Sequence, residues 1–308
     1  MNDTQTPEQL VAGLVRLLTV TRDGEDAFSA PQQPGGVGRV FGGQVIAQAL
    51  QAAQVTAPEG LEAHSLHAYF LRGGKEGVDI GYQTARDFDG RSFANRRVVA
   101  SQSDEDGGTR PILNLTASFQ RPEEGLEHDD APMPDVAPPE ELESDMEVRA
   151  RIAERAGERM GEAQRALFLR PRPIDMRSCG PLHWMNSEPS EPAAHSWFRT
   201  IAPLPGDAAL HRAVIAYGSD YTLLGTSALP HGLSWMRGEL VGASLDHAIW
   251  FHRPALEAFR ADEWLLYSTD APWSGSGRGF NRGRIFNREG QLVASVAQEG
   301  MMRRRKGK

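Results

Sequence analysis

Two stretches of the chain carry apolar residues at helical spacing, and each is followed by runs that read as strands. From Gln44 to about Val55, the positions Val45, Ile46, Ala49, Leu50 and Ala53 follow the i, i+3, i+4 rule of a helix with one buried face. Gly42 and Gly43, just before it, let the backbone approach another segment closely. Strands are predicted near Ser65–Leu71, Val78–Arg86, Ser92–Gln102 and Pro111–Gln120. A second helix is predicted from Ala208 to about Leu224, with Leu210, Ala213, Val214, Tyr217, Tyr221 and Leu224 on one face. Pro230, His231 and Gly232 mark its exit. Strands follow near Leu240–His252, Trp264–Ala271, Arg278–Asn287 and Leu292–Arg303.

The order helix then strands, met twice, is an internal repeat. Gly90-Arg91-Ser92-Phe93 matches Gly277-Arg278-Gly279-Phe280, and Val78 to Thr84 aligns with Leu265 to Ala271 at the same offset. Tyr69-Phe70 before Arg72 resembles Trp250-Phe251 before Arg253, and Ile112 to Gln120 corresponds to Leu292 to Gly300. The shared order carries the repeat more than the identities do. A long helix wrapped by an antiparallel sheet, made twice, is an α+β double hotdog, in which each sheet buries one apolar helix. Residues 1–121 are read as the first hotdog domain and 171–308 as the second. Between them, 122–170 begins as an exposed acidic linker with Pro122, Pro132, Pro134, Pro138 and Pro139. A charged, alanine-rich surface helix from Met146 to about Leu169 follows, and Pro171 and Pro173 lead into the second domain.

Composition narrows the class. A length of 308 residues favours two domains, and 40% hydrophobic with 24% charged residues suits a globular protein with a sizeable core. The net charge of −8 argues against general nucleic-acid binding. Cys179 is the single cysteine, which excludes an intrachain disulfide and points to a reducing, cytoplasmic setting. No signal peptide or membrane span is read; Thr6, Pro7 and Gln9 instead form a capping box that opens a short amphipathic helix. The basic tail from Arg303 to Lys308 reads as a solvated end, with binding of anionic phosphates as the other possibility.

Several ordered strings resemble the type II acyl-CoA thioesterases, the TesB-like double-hotdog enzymes. They are Arg39-Val40-Phe41-Gly42-Gly43-Gln44, His64-Ser65-Leu66-His67-Ala68-Tyr69-Phe70-Leu71-Arg72, Ser219-Asp220, Pro230-His231-Gly232, Asp246-His247, Trp250-Phe251-His252-Arg253-Pro254, Val293-Ala294-Ser295 and Gln298-Glu299-Gly300. The likeness runs from about Leu10 to Arg303 except in the acidic linker. It implies hydrolysis of fatty acyl-CoA to free acid and CoA, with no metal and no cofactor. By motif it implies a catalytic trio of Asp220, Ser244 and Gln298, with Gly42, Gly43, Gln44, His67 and His247 as substrate contacts. The family often has Thr where this chain has Ser244; the hydroxyl is kept, but the rotamer-limiting methyl is lost.

The residues give that trio partial support on their own. Asp220 lies three residues after Tyr217, at the edge of the apolar helix face, so its carboxylate is expected to be partly buried and to need hydrogen-bond donors. Ser244 and Gln298 can supply them from strands, while a structural Asp bonded to backbone groups is the other reading. Other motifs carry less. Gly242-Ala243-Ser244-Leu245-Asp246 lacks the last glycine of a nucleophile elbow, and Gly36-Val37-Gly38 lacks the third glycine of a dinucleotide loop. His64 and His67 stand three apart in a strand, on opposite faces, so one metal between them is not expected; they read as structural or acyl-pocket residues. Asp246 and His247 read as braces of the site, and Cys179 as a small core residue. A hydratase on acyl-CoA and a non-catalytic acyl-CoA-binding protein are the competing functions. Exposed hotdog edges or faces often pair, so a homo-oligomer is expected.

Overall fold

The computed structural model describes residues 5–33, 38–104, 106–180, 182, 188–234 and 237–305. Gly36 and Val37, and the end of the basic tail at Lys306–Lys308, lie outside the described residues.

Helix α1 (Pro7–Leu18) starts with the expected capping box, in which Thr6 and Gln9 each accept from the other's backbone amide. It is followed by β1 (Thr21–Arg22), β2 (Ala27–Ala30) and the first central helix, α2 (Gly42–Thr56). Then come β3 (Glu62–Phe70), β4 (Ile80–Asp89), β5 (Phe93–Ser103) and β6 (Thr109–Gln120). The connecting segment holds α3 (Asp145–Ala156) and α4 (Glu162–Phe168). The second half has β7 (Ile174–Ser178), β8 (Ala193–Thr200), the central helix α5 (Ala208–Ser219), β9 (Leu240–Ser244), β10 (Asp246–Phe251), β11 (Leu265–Gly275), β12 (Arg278–Phe286) and β13 (Leu292–Arg304).

The strands join in one antiparallel sheet, ordered β1-β2-β4-β5-β6-β3-β10-β13-β12-β11-β8-β7, with β9 paired to β13. The order is mirrored about the β3–β10 seam, where Ala68 faces His247 and Ser65 faces Trp250. Along this path each half repeats the other, as the sequence repeat requires, and β9 is an addition of the second half among the described residues. The central helices lie side by side and antiparallel: Gly43 at the start of α2 abuts the Tyr217 carbonyl near the end of α5, and Gln54 near the end of α2 donates to the Ala209 carbonyl at the start of α5. Both helices sink into one apolar core with the inward residues of the strands. The fold is the expected double hotdog.

Four expectations are corrected. The second helix ends at Ser219 rather than Leu224; Asp220 is its C-cap, and a separate 3-10 stretch runs over Leu223–His231. The predicted strand Leu240–His252 breaks at Leu245, so β9 and β10 pair with different parts of β13. The surface helix splits at Gly157, whose φ of 52° ends α3. The acidic linker is irregular, but it is not simply exposed. Ala131, Met133, Val136 and Leu142 pack onto Trp197, Trp264, Leu266 and Phe286 on the sheet face opposite the helices. Trp197 Nε1 donates to the Ala137 carbonyl at 2.9 Å, and Asp129 pairs with Arg253 at 2.9 Å, so the linker is a strap. Strands β1, β2, β7 and β8 were not predicted. No described helix is long and apolar enough to cross a membrane.

Candidate active site

Asp220 is held where the end of α5 meets the start of α2. Its side chain is only 6% exposed. A buried carboxylate needs donors, and three arrive from separate elements. Gln298 of β13 donates through Nε2 to Oδ1 at 2.7 Å, Ser244 at the end of β9 reaches the same oxygen at 3.5 Å, and the Gly43 amide in the first turn of α2 donates as well. The pairing of Ser244 with Gly300 brings β9 to within two residues of Gln298 on β13. The break at Leu245 allows this: the Leu245 amide bonds to the Glu299 carbonyl, and the Phe70 amide to the Leu245 carbonyl.

The glycines before the helix have a direct role in this geometry. A Cβ on Gly42 would stand 2.7 Å from Asp220 Oδ2 and 2.9 Å from the Phe70 ring; one on Gly43 would meet the Tyr217 carbonyl at 2.5 Å. The carboxylate and the two helices approach one another only because both side chains are absent.

His247 supports Gln298 from behind. Its Nδ1 accepts from Gln298 Nε2 at 3.0 Å, and its Nε2 meets Ser219 Oγ at 2.9 Å. Burial lowers the imidazole to a pKa of about 3, so it stays neutral. With Nδ1 accepting, Nε2 carries the proton and donates to Ser219, whose hydroxyl donates in turn to the Ala216 carbonyl. His247 is therefore a neutral brace, and its 3.9 Å approach to Asp220 is not an ion pair. Asp220 itself is pushed up to about 6 by burial, and the hydrogen bonds from Gln298, Gly43 and Ser244 limit the rise. It is ionised at neutral pH yet poised to take a proton. Gln298 Oε1 is buried with no partner among the described residues.

Two cavities meet beside this carboxylate. One, of about 400 Å³, is lined by Asp220, Ser244, Val45, Phe70, Leu113 and Leu245. The other, of about 700 Å³, is lined by Phe41, Tyr217, Tyr221 and several arginines, and shares Arg39, Val40 and Gly42 with the first. Gln44 lines the larger one, with its amide also turned to the Pro31 carbonyl at 3.4 Å.

The structure brings Asp220, Ser244, Gln298, Gly42, Gly43 and His247 together, and sets Gln44, the next residue of α2, on the wall of the larger cavity. It does not bring in His67, which is exposed on the outer sheet face with its ring edge-on to Trp250, 5.0 Å between centroids. Inward-facing Ala68 is its strand neighbour, so the alternation of β3 sends His67 away from the cavities. A register shift between Ala63 and Ser65 turns His64 onto Ser118 of the neighbouring strand at 2.8 Å, so strand parity does not describe the His64–His67 pair. Cys179 is half-buried with its thiol pushed up to about 11 by burial, which makes it a poor nucleophile. Sequence reasoning missed two supports. The Tyr267 hydroxyl donates to the Ser219 carbonyl at 3.0 Å, and Asn281 accepts from Ser227 at 2.6 Å beneath Gln298. Neither position carries a motif; both are ordinary inward strand residues.

Comparison with known proteins agrees with this architecture. Residues 174–301 match the family model described as acyl-CoA thioesterase, and residues 30–120 match the acyl-CoA thioesterase N-terminal domain. The chain is 34% identical to acyl-CoA thioesterase 2 of Haemophilus influenzae, over 96% of this chain and 98% of that one. It is 36% identical to acyl-coenzyme A thioesterase 8 of Homo sapiens, over 86% of this chain and 81% of that one. Among solved structures it resembles an acyl-CoA thioesterase II, TesB2, from Mycobacterium marinum, with a TM-score of 0.73 and 34% identity over 95% of this chain and 99% of that one. With both halves matched by family models and relatives above 30% identity spanning most of its length, the chain belongs to the acyl-CoA thioesterase family.

Proposed function

We infer that the protein hydrolyses acyl-CoA thioesters by attack of a water that Asp220 deprotonates. The observation that carries this reading is the convergence of Asp220, Ser244 and Gln298, from three elements, at the junction of two cavities. In this reading the attacking water is held by the Asp220 carboxylate, the Ser244 hydroxyl and the Gln298 amide. As the water oxygen attacks the thioester carbonyl, Asp220 takes one proton; general-base help of this kind is worth about 10²–10⁴-fold. Fixing the water by Ser244 and Gln298 is a positioning effect.

The oxyanion of the tetrahedral intermediate takes its hydrogen bonds from the start of α2, where Phe41 provides no side-chain cap and Gly42 faces both cavities. When the intermediate collapses, the C–S bond breaks and the thiolate leaves with the electron pair. The proton held by Asp220 then balances the thiolate, so carboxylic acid and free thiol are the products and the base is regenerated. His247, neutral and buried, orients Gln298 and takes no proton.

A hydratase reading has less support: α2 opens with Gly42-Gly43-Gln44 and has no carboxylate–histidine pair at its start. Release of free thiol from a panel of acyl-CoA esters, short to long, tests the reading. Thiol release from at least one ester is expected; binding without release at every chain length favours a non-catalytic acyl-CoA binder. We also read the protein as a homo-oligomer, supported by exposed Tyr69 and Trp250 beside the seam of the sheet. A sizing measurement that returns a lone 33.8 kDa particle contradicts it.

A further inference from the structure

The larger cavity carries a concentration of positive charge that the hydrolytic step does not use. Arg39, Arg149, Arg170 and Arg172 line it, with Glu76 as the single carboxylate among its described lining residues. This occurs in a chain whose net charge is −8. Three of the four come from the segment between the halves: Arg149 from α3, and Arg170 and Arg172 from the turn between α4 and β7. All three are half-buried.

These guanidiniums act on one another. Burial and the neighbouring charge of Arg172 bring Arg149 down to about 10, an unusual value for an arginine, although Asp145 works in the opposite direction. Arg172 lies over the Tyr221 ring at 5.9 Å, and Arg149 over the Phe168 ring at 4.9 Å. Aromatic rings thus hold the guanidinium planes at the cavity wall. Asp145 offsets part of this charge on Arg149 and Arg172, and the cavity lining still presents four arginines to one carboxylate, which favours an anionic ligand there. Tyr221 is hydrogen-bonded to Tyr217 at 3.2 Å, and these rings with Phe41 line the way from the arginines to Gly42, where the second cavity and Asp220 begin.

We propose that Arg149, Arg170 and Arg172 form the subsite for the phosphate groups of the CoA moiety, so that the segment between the two hotdogs recognises the leaving thiol by its nucleotide end. The assignment rests on the reading of thioester hydrolysis at Asp220. The acyl group then lies in the other cavity, against Val45, Phe70 and Leu113. Forked guanidinium donors match phosphate oxygens in pairs, and several phosphates answer several arginines.

The test compares two thioesters of one acyl group: its CoA ester and its N-acetylcysteamine ester, which has no phosphate. Arg172→Gln and Arg149→Gln are expected each to raise KM for the CoA ester about tenfold with kcat within about twofold, because the contact is the same in ground and transition states. The kcat/KM for the N-acetylcysteamine ester is expected to stay within about twofold of wild type, which also shows that the variants fold. Arg172→Lys is expected to recover part of the KM loss. Equal losses on both esters, or an unchanged KM for the CoA ester, overturn the proposal. A loss seen only with a terminal carboxylate on the acyl chain also overturns it, since the site then reads an acid. If the wild type releases no thiol from either ester, the hydrolytic reading falls separately. The subsite is then decided by calorimetric binding of CoA, with weaker binding to Arg172→Gln in its favour and equal binding against it.

Discussion

Gln298 Nε2 stands 2.7 Å from Asp220 Oδ1, a hydrogen bond that ties the last strand of the sheet to the end of the second central helix. With the His247 bond behind it, this contact orients the amide, and it moderates a carboxyl that burial pushes up. Because the amide donates to the ionised form, it holds the carboxyl below the value that burial alone would give.

The rate is therefore expected to fall on the acid side with an apparent pKa near 6, as Asp220 becomes protonated. Gln298→Ala is expected to lower kcat and to move that acid limb to higher pH. His247 adds no second limb in this range, since it ionises only near 3. A pH profile of kcat/KM for wild type and variant checks the direction; a limb that stays in place or moves down speaks against Gln298 as the donor that tunes Asp220.

The same burial has a stability consequence with a definite sign. The folded-state pKa of Asp220, about 6, lies above its ordinary 3.8, so the folded protein binds this proton more tightly than the unfolded chain. That contribution is complete below pH 3.8 and is lost as pH rises through 6, leaving an ionised carboxylate that costs up to about 3 kcal/mol above it. Asp220→Asn is expected to be more stable than wild type at pH 7.5 and to lose that advantage below about pH 4. Urea titrations at the two pH values measure the difference.

The two glycines of α2 are expected to fail in different ways. Gly43→Ala forces α2 from the Tyr217 carbonyl and is expected to cost about 1–3 kcal/mol of stability. Gly42→Ala presses on Asp220 Oδ2 and the Phe70 ring, and it is expected to lower kcat at least tenfold with a smaller change in Tm. Thermal melts and thiol-release rates on the purified variants separate the two effects.

A buried arginine in the first half is structural. Arg96 is 1% exposed, donates to the Thr56 carbonyl at 2.8 Å and to the Phe88 and Asn95 carbonyls, and pairs with Asp89 at 2.7 Å. It fastens the end of α2 to β4 and β5. Arg96→Leu leaves these acceptors unpaired and is expected to cost about 3 kcal/mol, measured by chemical denaturation, with kcat of the folded enzyme unchanged.

Much of this was legible in the chain. The repeat of Gly90-Arg91-Ser92-Phe93 at Gly277-Arg278-Gly279-Phe280 marks the equivalent β4–β5 and β11–β12 turns, and the mirrored strand order follows from it. The apolar periodicity of both central helices located them within a turn at their starts. The end of α5 was not legible, because Tyr221 and Leu224 continue the apolar pattern after the helix has stopped at Ser219. That difference matters, since it makes Asp220 a cap residue facing α2 instead of a residue on a helix flank. Strands β2, β7 and β8 escaped because they are short or lie beside prolines, and β2 and β8 also pair with β4 and β11, which come later in the chain. The outward turn of His67 depends on the register of β3 against β10, which a motif does not carry. The strap role of the linker depends on a second apolar cluster, on Trp197 and Trp264, across the sheet from the main core.

The most direct measurement is single-enzyme thiol release from an acyl-CoA that the wild type hydrolyses, repeated on Asp220→Asn. The account predicts that kcat falls about 10²–10⁴-fold while the variant remains folded and still binds CoA. Hydrolysis that continues in Asp220→Asn at the wild-type rate contradicts it.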